Sequence, residues 1–176
     1  RPAYLINAAA YTAVDKAEQE KDLAFEINAS APGQLAALCK KYDVAFIHIS
    51  TDYVFDGDAD EPYKENDATN PQSVYGASKL EGEKRVMIAD PASIIIRSSW
   101  VYSSFGKNFV KTILRLLREK DEIGVVSDQM GSPTYAADLA NTILQIINSD
   151  WQAGIYHYCN DGIISWYEFA LYIKEL

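Results

Sequence analysis

The chain has little cysteine and no long apolar run. Its 176 residues include two cysteines, Cys39 and Cys159, and neither lies in a Cys-x-x-Cys motif. Two isolated cysteines exclude the disulfide framework on which small secreted domains depend. No stretch of about 18 apolar residues occurs, so no membrane span is predicted, and no secretory signal pattern is found. These absences together predict a cytoplasmic protein.

Basic residues are also scarce. The chain has 16 Lys and Arg residues and 25 Asp and Glu residues, which gives a net charge of −9. This charge argues against nucleic acid as a partner. This balance leaves room for a local cationic pocket that takes a phosphorylated ligand. His48 and His157 lie singly in apolar strands, so core histidines are favoured over metal ligands and no metal site is predicted. With 48% hydrophobic residues, the composition is that of a globular domain.

A glycine-rich turn is the third absence. The nine glycines are scattered, and neither Gly-x-x-Gly-x-x-Gly nor Gly-x-Gly-x-x-Gly occurs. In a dinucleotide-binding fold, such a turn follows the first strand and places the pyrophosphate at a helix N-terminus. That element is therefore not encoded within these residues.

Apolar runs with strand character alternate with helical patterns along the whole chain. Repeated β-α-β order predicts an α/β fold, a parallel sheet flanked by helices. Thr134 is predicted to cap one helix, and Ser165 with Glu168 to form a capping box at the last one. The predicted strands are residues 3–6, 44–49, 93–97, 123–126 and 155–159, and the predicted helices are residues 15–42 with a break, 73–88, 109–120, 134–147 and one that follows Ser165.

Tyr75 and Lys79 lie four residues apart in one predicted helix, and so on the same face. Tyrosine has a pKa of about 10 and is a poor acid or base at neutral pH. A nearby ammonium group lowers that pKa, which suits the residue for acid-base chemistry. Alone, a Tyr-x-x-x-Lys pair is common on half-exposed helices, and its meaning depends on its neighbours.

One such neighbour is the polar stretch from Ser50 to Gly57, which follows the apolar run of residues 44–49. The run is typical of a buried parallel strand, so hydroxyl and carboxyl groups emerge at its carboxyl end. In an open α/β sheet, ligands bind at that end. Thr51 and Asp52 are therefore candidate ligand contacts, although they could equally cap a loop.

These motifs resemble those of the extended short-chain dehydrogenase/reductases. Within that family, the chain is most similar to the branch that reduces nucleotide-linked 6-deoxy-4-keto sugars. The similar stretches keep the family order and together span most of the chain; they are residues 7–18, 50–57, 75–81, 97–102 and 128–134.

The resemblance implies a Rossmann-like, doubly wound parallel sheet that lacks its first β-α-β unit, with part of a small substrate domain. Residues 1–120 would be the remainder of the dinucleotide-binding domain, and residues 121–176 a mixed sheet edge with a partial sugar-nucleotide domain. The family's glycine-rich turn would lie before Arg1. The 176 residues by themselves are therefore expected to be an internal piece without reductase activity.

The resemblance also implies an activity: hydride from NADPH or NADH reduces the C4 ketone of a dTDP-linked sugar, converting dTDP-4-dehydrorhamnose to dTDP-rhamnose. Tyr75 would protonate the developing alkoxide, Lys79 would lower the tyrosine pKa and bind the nicotinamide ribose, and Thr51 would bind the ketone oxygen. The implied cofactor contacts are Ala8, Ala9, Ala10, Tyr11, Thr12, Ser50, Tyr75 and Lys79, and the implied substrate contacts are Thr51, Asp52, Tyr53 and Trp100.

Several alternatives stay open. Trp100 follows an apolar strand and could belong to the core, and residues 7–12 could be a simple strand-end turn. Another extended-family enzyme, an epimerase or dehydratase, is possible, but dehydratases have Thr-Asp-Glu where Tyr53 follows Asp52 here. A non-enzymatic regulatory subunit of the methionine adenosyltransferase type shares much of the motif set. A homodimer is compatible with all of these.

Overall fold

The computed structural model describes residues 1–175 and divides them into two compact units. The first comprises residues 1–98 and 151–157, and the second residues 99–150 and 158–175. The strands are β1 (Tyr4–Asn7), β2 (Ala45–Thr51), β3 (Ile94–Ser98), β4 (Val101–Tyr102), β5 (Met130–Gly131), β6 (Thr134–Tyr135), β7 (Gly154–His157) and β8 (Ile164–Ser165). The helices are α1 (Val14–Ala17), α2 (Lys21–Phe25), α3 (Ala31–Lys41), α4 (Val74–Ala89), α5 (Phe109–Glu119), α6 (Ala136–Ile147) and α7 (Trp166–Lys174), with a π-helical turn at Glu26–Ser30 and a 3-10 turn at Asp52–Val54.

The first unit is built on a sheet of four parallel strands in the order β1-β2-β3-β7. The pairing of Leu5 with Phe46 and of Ile95 with Ile155 sets the register of the apolar side chains. Helices α3 and α4 cover one face, where Phe46 and Ile95 pack against Ala36, Cys39 and Val86. The predicted α/β class with a parallel, Rossmann-like sheet is confirmed.

Helix α4 lies very close to its neighbours in the first unit, and glycine makes this approach possible. A Cβ atom at Gly82 would overlap the carbonyl oxygen of Asn28, which lies in the π-helical turn. A Cβ atom at Gly76 would overlap the carbonyl oxygen of Tyr53, in the 3-10 turn after β2. Both obstacles are backbone atoms, which cannot rotate away as a side chain can. The position of α4 therefore depends on these two glycines.

The second unit has a small core of aromatic and aliphatic side chains. Ile113 of α5 packs with Phe169, Ala170 and Ile173 of α7, and partly buried aromatic residues close around them. Two short pairings accompany this core: β4 lies parallel to β6, and β5 lies antiparallel to β8. The capping box predicted at α7 is confirmed, since the Ser165 side chain accepts from the Glu168 amide and the Glu168 carboxylate accepts from the Ser165 amide.

Two local predictions are wrong. Residues 123–126 form no strand; Ile123 and Val125 instead pack as irregular chain against the core of the second unit. Thr134 does not cap α6, because it pairs with Val101 as part of β6 and the helix starts only after Tyr135. The two compact units divide at residue 98, and β7 belongs to the first unit. The assignment of dinucleotide and sugar binding to residues 1–120 and 121–176 stays a prediction.

We expect Gly82→Ala to destabilise the protein by about 1–3 kcal/mol or more, because either α4 or the π-helical turn must move to admit the methyl group. Gly124→Ala is the matched control, since nothing lies within 4 Å of a Cβ at Gly124. Urea unfolding followed by circular dichroism measures both variants. Equal midpoints for the two would contradict the tight approach of α4 to Asn28.

Candidate active site

The candidate site lies at the carboxyl end of β2 in the first unit. Thr51 is the last residue of this strand and is buried, with 6% of its surface exposed. Its hydroxyl donates to the Asp52 carboxylate at 3.0 Å and accepts from the Tyr53 amide at 3.3 Å, which closes the 3-10 turn. The sequence favours this turn because threonine side chains readily bond to the amide two residues on. A polar cluster thus forms where the strand ends.

Helix α4 brings Tyr75 and Lys79 to this cluster. Ser73 caps the helix by accepting from the Gly76 amide at 3.1 Å, so Tyr75 sits in the first turn. The Tyr75 ring meets the Tyr53 ring edge-on with centroids 5.5 Å apart. One turn further, the Lys79 ammonium donates to the carbonyl oxygen of Ile49 at 2.7 Å. The structure therefore brings Thr51, Asp52, Tyr53, Tyr75 and Lys79 together, as the sequence predicted.

The pKa of Tyr75 differs from the expectation. Burial, helped by the nearby Asp52 and Tyr53 and opposed by a hydrogen bond with Thr51, raises the pKa of Tyr75 to about 12. Burial also lowers the pKa of Lys79 to about 8, against the attraction of Glu83. The prediction that Lys79 lowers the tyrosine pKa is thus wrong for this structure, because desolvation dominates. At neutral pH, Tyr75 is a protonated phenol.

The predicted cofactor segment follows β1 at the same edge of the sheet. Because β1 and β2 are parallel neighbours, residues 8–12 emerge beside Ser50 and Thr51. The three alanines are small and largely exposed. The Asn28 side chain binds the backbone of this segment: its Oδ1 accepts from the Tyr11 amide at 2.8 Å, and its Nδ2 donates to the Tyr11 carbonyl oxygen at 3.0 Å. A buried side chain therefore fixes the backbone of this segment, and its contact with a cofactor stays a prediction.

Sequence reasoning missed several residues that support the site. Asn28 also donates to the Ser78 hydroxyl at 3.0 Å, and Ser78 donates to the Tyr75 carbonyl oxygen at 2.7 Å. Glu18 accepts from the Val74 amide at 2.8 Å at the start of α4. The Asn28–Ser78 and Glu18–Val74 contacts join residues far apart in the chain, so no local sequence pattern predicted them.

A buried ion pair involves Glu83, which lies one helical turn after Lys79 in α4. Arg97 of β3 binds Glu83 of α4 through two nitrogens, with Nη2 to Oε2 at 2.7 Å and Nε to Oε1 at 3.0 Å. Ser50 donates to the same carboxylate at 2.5 Å, so Ser50, predicted as a cofactor contact, bonds within the protein. The sequence did indicate such a pair. An arginine directly after the run Ile94–Ile96 in a buried strand needs a partner of opposite charge.

Trp100 belongs to the second unit. Its backbone has a φ of 48°, a left-handed conformation that is rare for a bulky residue. Its indole stacks on that of Trp166 with centroids 3.5 Å apart, and Gly131 lies so close that a Cβ there would overlap the ring. Trp100 is thus firmly held by packing within its own unit, and its contact with a sugar stays a prediction.

The parallel sheet, the hydroxyl at the end of β2 and the Tyr-x-x-x-Lys helix define the class of short-chain dehydrogenase/reductases. More narrowly, the RmlD substrate binding domain matches residues 1–176, and the chain belongs to this family. A dTDP-4-dehydrorhamnose reductase of Aggregatibacter actinomycetemcomitans is 45% identical over 180 residues, which cover 99% of this chain and 61% of the relative.

Solved structures agree with this assignment. A dTDP-4-dehydrorhamnose reductase from Clostridium acetobutylicum superimposes with a TM-score of 0.96 at 48% identity, over 99% of this chain and 61% of that one. A dTDP-4-dehydrorhamnose reductase from Bacillus anthracis, in complex with NADP, gives a TM-score of 0.95 at 46% identity, over 99% and 62%. The chain thus spans about three fifths of the length of these relatives. No helix among residues 1–175 is long and apolar enough to cross a membrane.

His48 lies beside the site as a buried neutral side chain. The Asn7 amide oxygen accepts from the Ala9 amide at 3.2 Å, so the Asn7 NH₂ group donates to Nδ1 of His48 at 3.1 Å and the ring proton sits on Nε2. Within residues 1–175, that Nε2 is buried without a hydrogen-bond partner. Burial, together with the charge of Lys79, lowers the pKa of His48 to about 3.

We expect the free energy of unfolding to fall as the pH drops below about 6.5, because the unfolded chain binds a proton that buried His48 cannot. His48 contributes a loss of about 2 kcal/mol between pH 7.5 and 5, at about 1.4 kcal/mol per pH unit below 6.5. Urea unfolding across this range should show a smaller loss in His48→Gln. The same loss in both proteins would contradict the assignment.

Proposed function

We propose that the protein carrying this chain reduces the C4 ketone of a dTDP-linked 6-deoxy-4-keto sugar, converting dTDP-4-dehydrorhamnose to dTDP-rhamnose. The observation that carries this proposal is the convergence of Thr51, Tyr75 and Lys79 at the end of β2, in a chain 45% identical to a dTDP-4-dehydrorhamnose reductase. A strand-end hydroxyl and a phenol held together suit the binding and protonation of a carbonyl oxygen.

The residues present fit NADPH or NADH as the cofactor. The small, exposed side chains of Ala8 and Ala9 at the carboxyl end of β1 leave room for a ligand near the backbone, and Asn28 fixes the following Tyr11. The Lys79 ammonium would hydrogen-bond the nicotinamide ribose, and Ala10, Thr12 and Ser50 complete the proposed contacts. When bound, the dinucleotide supplies the hydride. A related structure with NADP supports this part of the proposal.

Tyr75 acts as the proton donor. Because its pKa is raised to about 12, the hydroxyl is protonated at neutral pH and can give its proton to the alkoxide that develops at C4. Thr51 holds the same oxygen and stabilises the developing charge. The burial of both residues strengthens these hydrogen bonds, since less water competes for them.

Three further side chains would contact the sugar nucleotide. Asp52 lies beside Thr51 with a pKa that burial raises, and the Tyr53 ring is 43% exposed beside Tyr75. Trp100 completes the proposal from the second unit. Tyr53 occupies the place of the glutamate that a dehydratase would need, which argues against that activity. A homodimer and a cytoplasmic location are proposed together with this function.

We expect Tyr75→Phe in the intact protein to lower kcat by roughly 10²–10⁴-fold with little change in KM, because the phenol donates its proton during the chemical step. The assay follows NADPH oxidation with dTDP-4-dehydrorhamnose. Tyr42→Phe is the matched control, since Tyr42 is 52% exposed at the end of α3. Near-normal kcat in Tyr75→Phe would remove Tyr75 from the acid role.

Thr51→Val should lower kcat by about 10²-fold or more, since a hydrogen-bond donor to the developing oxyanion is lost. The valine keeps the shape of the threonine but loses the hydrogen bonds to Asp52 and the Tyr53 amide, so stability should fall by about 1 kcal/mol and kcat is compared well below the melting temperature. Thr112→Val is the control, because Thr112 bonds only within α5, to the Asn108 carbonyl oxygen at 2.9 Å. A loss that appears in KM alone would assign Thr51 to substrate binding rather than to the chemical step.

A further inference from the structure

The buried pair of Glu83 and Arg97 is expensive to place in a protein core. The exposed fractions of their side chains are 2% and 5%, so both charges are almost fully desolvated. Such a pair seldom stabilises a fold more than apolar residues of equal size would. A reason other than stability is therefore needed for this pair, and the position of Glu83 one helical turn from Lys79 suggests one.

Tyr75, Lys79 and Glu83 are spaced by four residues along α4 and so lie on one face of the helix. Burial lowers the pKa of Lys79 to about 8, and Glu83 opposes this shift. Arg97 and Ser50 supply donors to the Glu83 carboxylate from two residues that pair across β2 and β3. A carboxylate bound by a guanidinium and a hydroxyl is held in one position and cannot rotate away.

We propose that Glu83, held by Arg97 and Ser50, is a positioning residue for Lys79: its fixed negative charge keeps the buried amine protonated and directed at the Ile49 carbonyl oxygen. The catalytic meaning of this arrangement rests on the proposed function, in which the ammonium binds the nicotinamide ribose. The electrostatic arrangement itself is a property of the first unit alone.

The other charges near α4 do not replace Glu83 in this role. His48 on β2 is neutral, because burial and the charge of Lys79 lower its pKa to about 3. Asp52 and Tyr53 act on Tyr75 rather than on Lys79. From the helical side come the uncharged Asn28 and Ser30, while Glu18 bonds to the Val74 amide. Arg85 and Glu81 pair with each other on the exposed side of the helix.

The test measures the pKa of Lys79 directly, by NMR titration of protein labelled with ¹³C and ¹⁵N in lysine. In the wild type, Lys79 should titrate near pH 8. In Glu83→Gln this value should fall by about one pH unit, because the opposing charge is lost. Glu81→Gln is the matched control from the same helix and should leave Lys79 unchanged. An unchanged pKa of Lys79 in Glu83→Gln would overturn the proposal.

Removing Glu83 alone leaves Arg97 as an unpaired buried charge, which can prevent folding. The double variant Glu83→Gln with Arg97→Met removes both charges and should show a fall in the pKa of Lys79 in the same direction but smaller, because the repulsion by Arg97 is lost as well. A folded double variant that titrates like the wild type would also overturn the proposal. Neither titration needs turnover, so failure of the proposed reduction would appear separately, as an intact enzyme that does not oxidise NADPH with the dTDP-linked ketone.

Discussion

The buried ion pair between Arg97 and Glu83 ties the first unit together. Besides binding Glu83 of α4, the Arg97 guanidinium lies 5.1 Å from the centroid of the Phe55 ring and donates to the Glu65 carbonyl oxygen at 3.3 Å. One side chain of β3 thus contacts the Tyr-Lys helix and the loop that follows the strand-end motif. Because a planar guanidinium has donors in fixed directions, the bonds to Glu83 and to the Glu65 carbonyl oxygen leave little freedom for the surrounding backbone.

A second constraint acts at the backbone level. The Asn28 side chain binds the backbone N–H and C=O groups of Tyr11 and the hydroxyl of Ser78. The backbone carbonyl oxygen of Asn28 lies against Gly82. The π-helical turn that contains Asn28 therefore connects the segment after β1 to the helix that carries Tyr75. A π-helical turn often occurs at a functional site, and here it brings one buried amide between two functional segments.

Features set by neighbouring residues were predictable from the sequence, whereas those set by distant partners were not. The capping box of Ser165 and Glu168 was predicted correctly because it involves one helical turn. Residues 123–126 have strand-like composition, but a strand needs a partner, and the sequence alone could not show that none would pair with them. The pKa of Tyr75 was misjudged for a related reason: spacing placed Lys79 nearby, while burial, a property of the whole fold, decided the direction of the shift.

The close approach of α4 has a consequence for engineering this scaffold. Three positions of the helix belong to the candidate site or to its proposed support, at Tyr75, Lys79 and Glu83, and two more must remain glycine because backbone oxygens occupy the space of a side chain. A combinatorial library aimed at this helix could therefore vary few positions. Those that tolerate change, such as the 80% exposed Ile88, face solvent rather than the site. New substrate preference is more accessible through the loops at the carboxyl ends of the strands, where side chains can change without moving the helix.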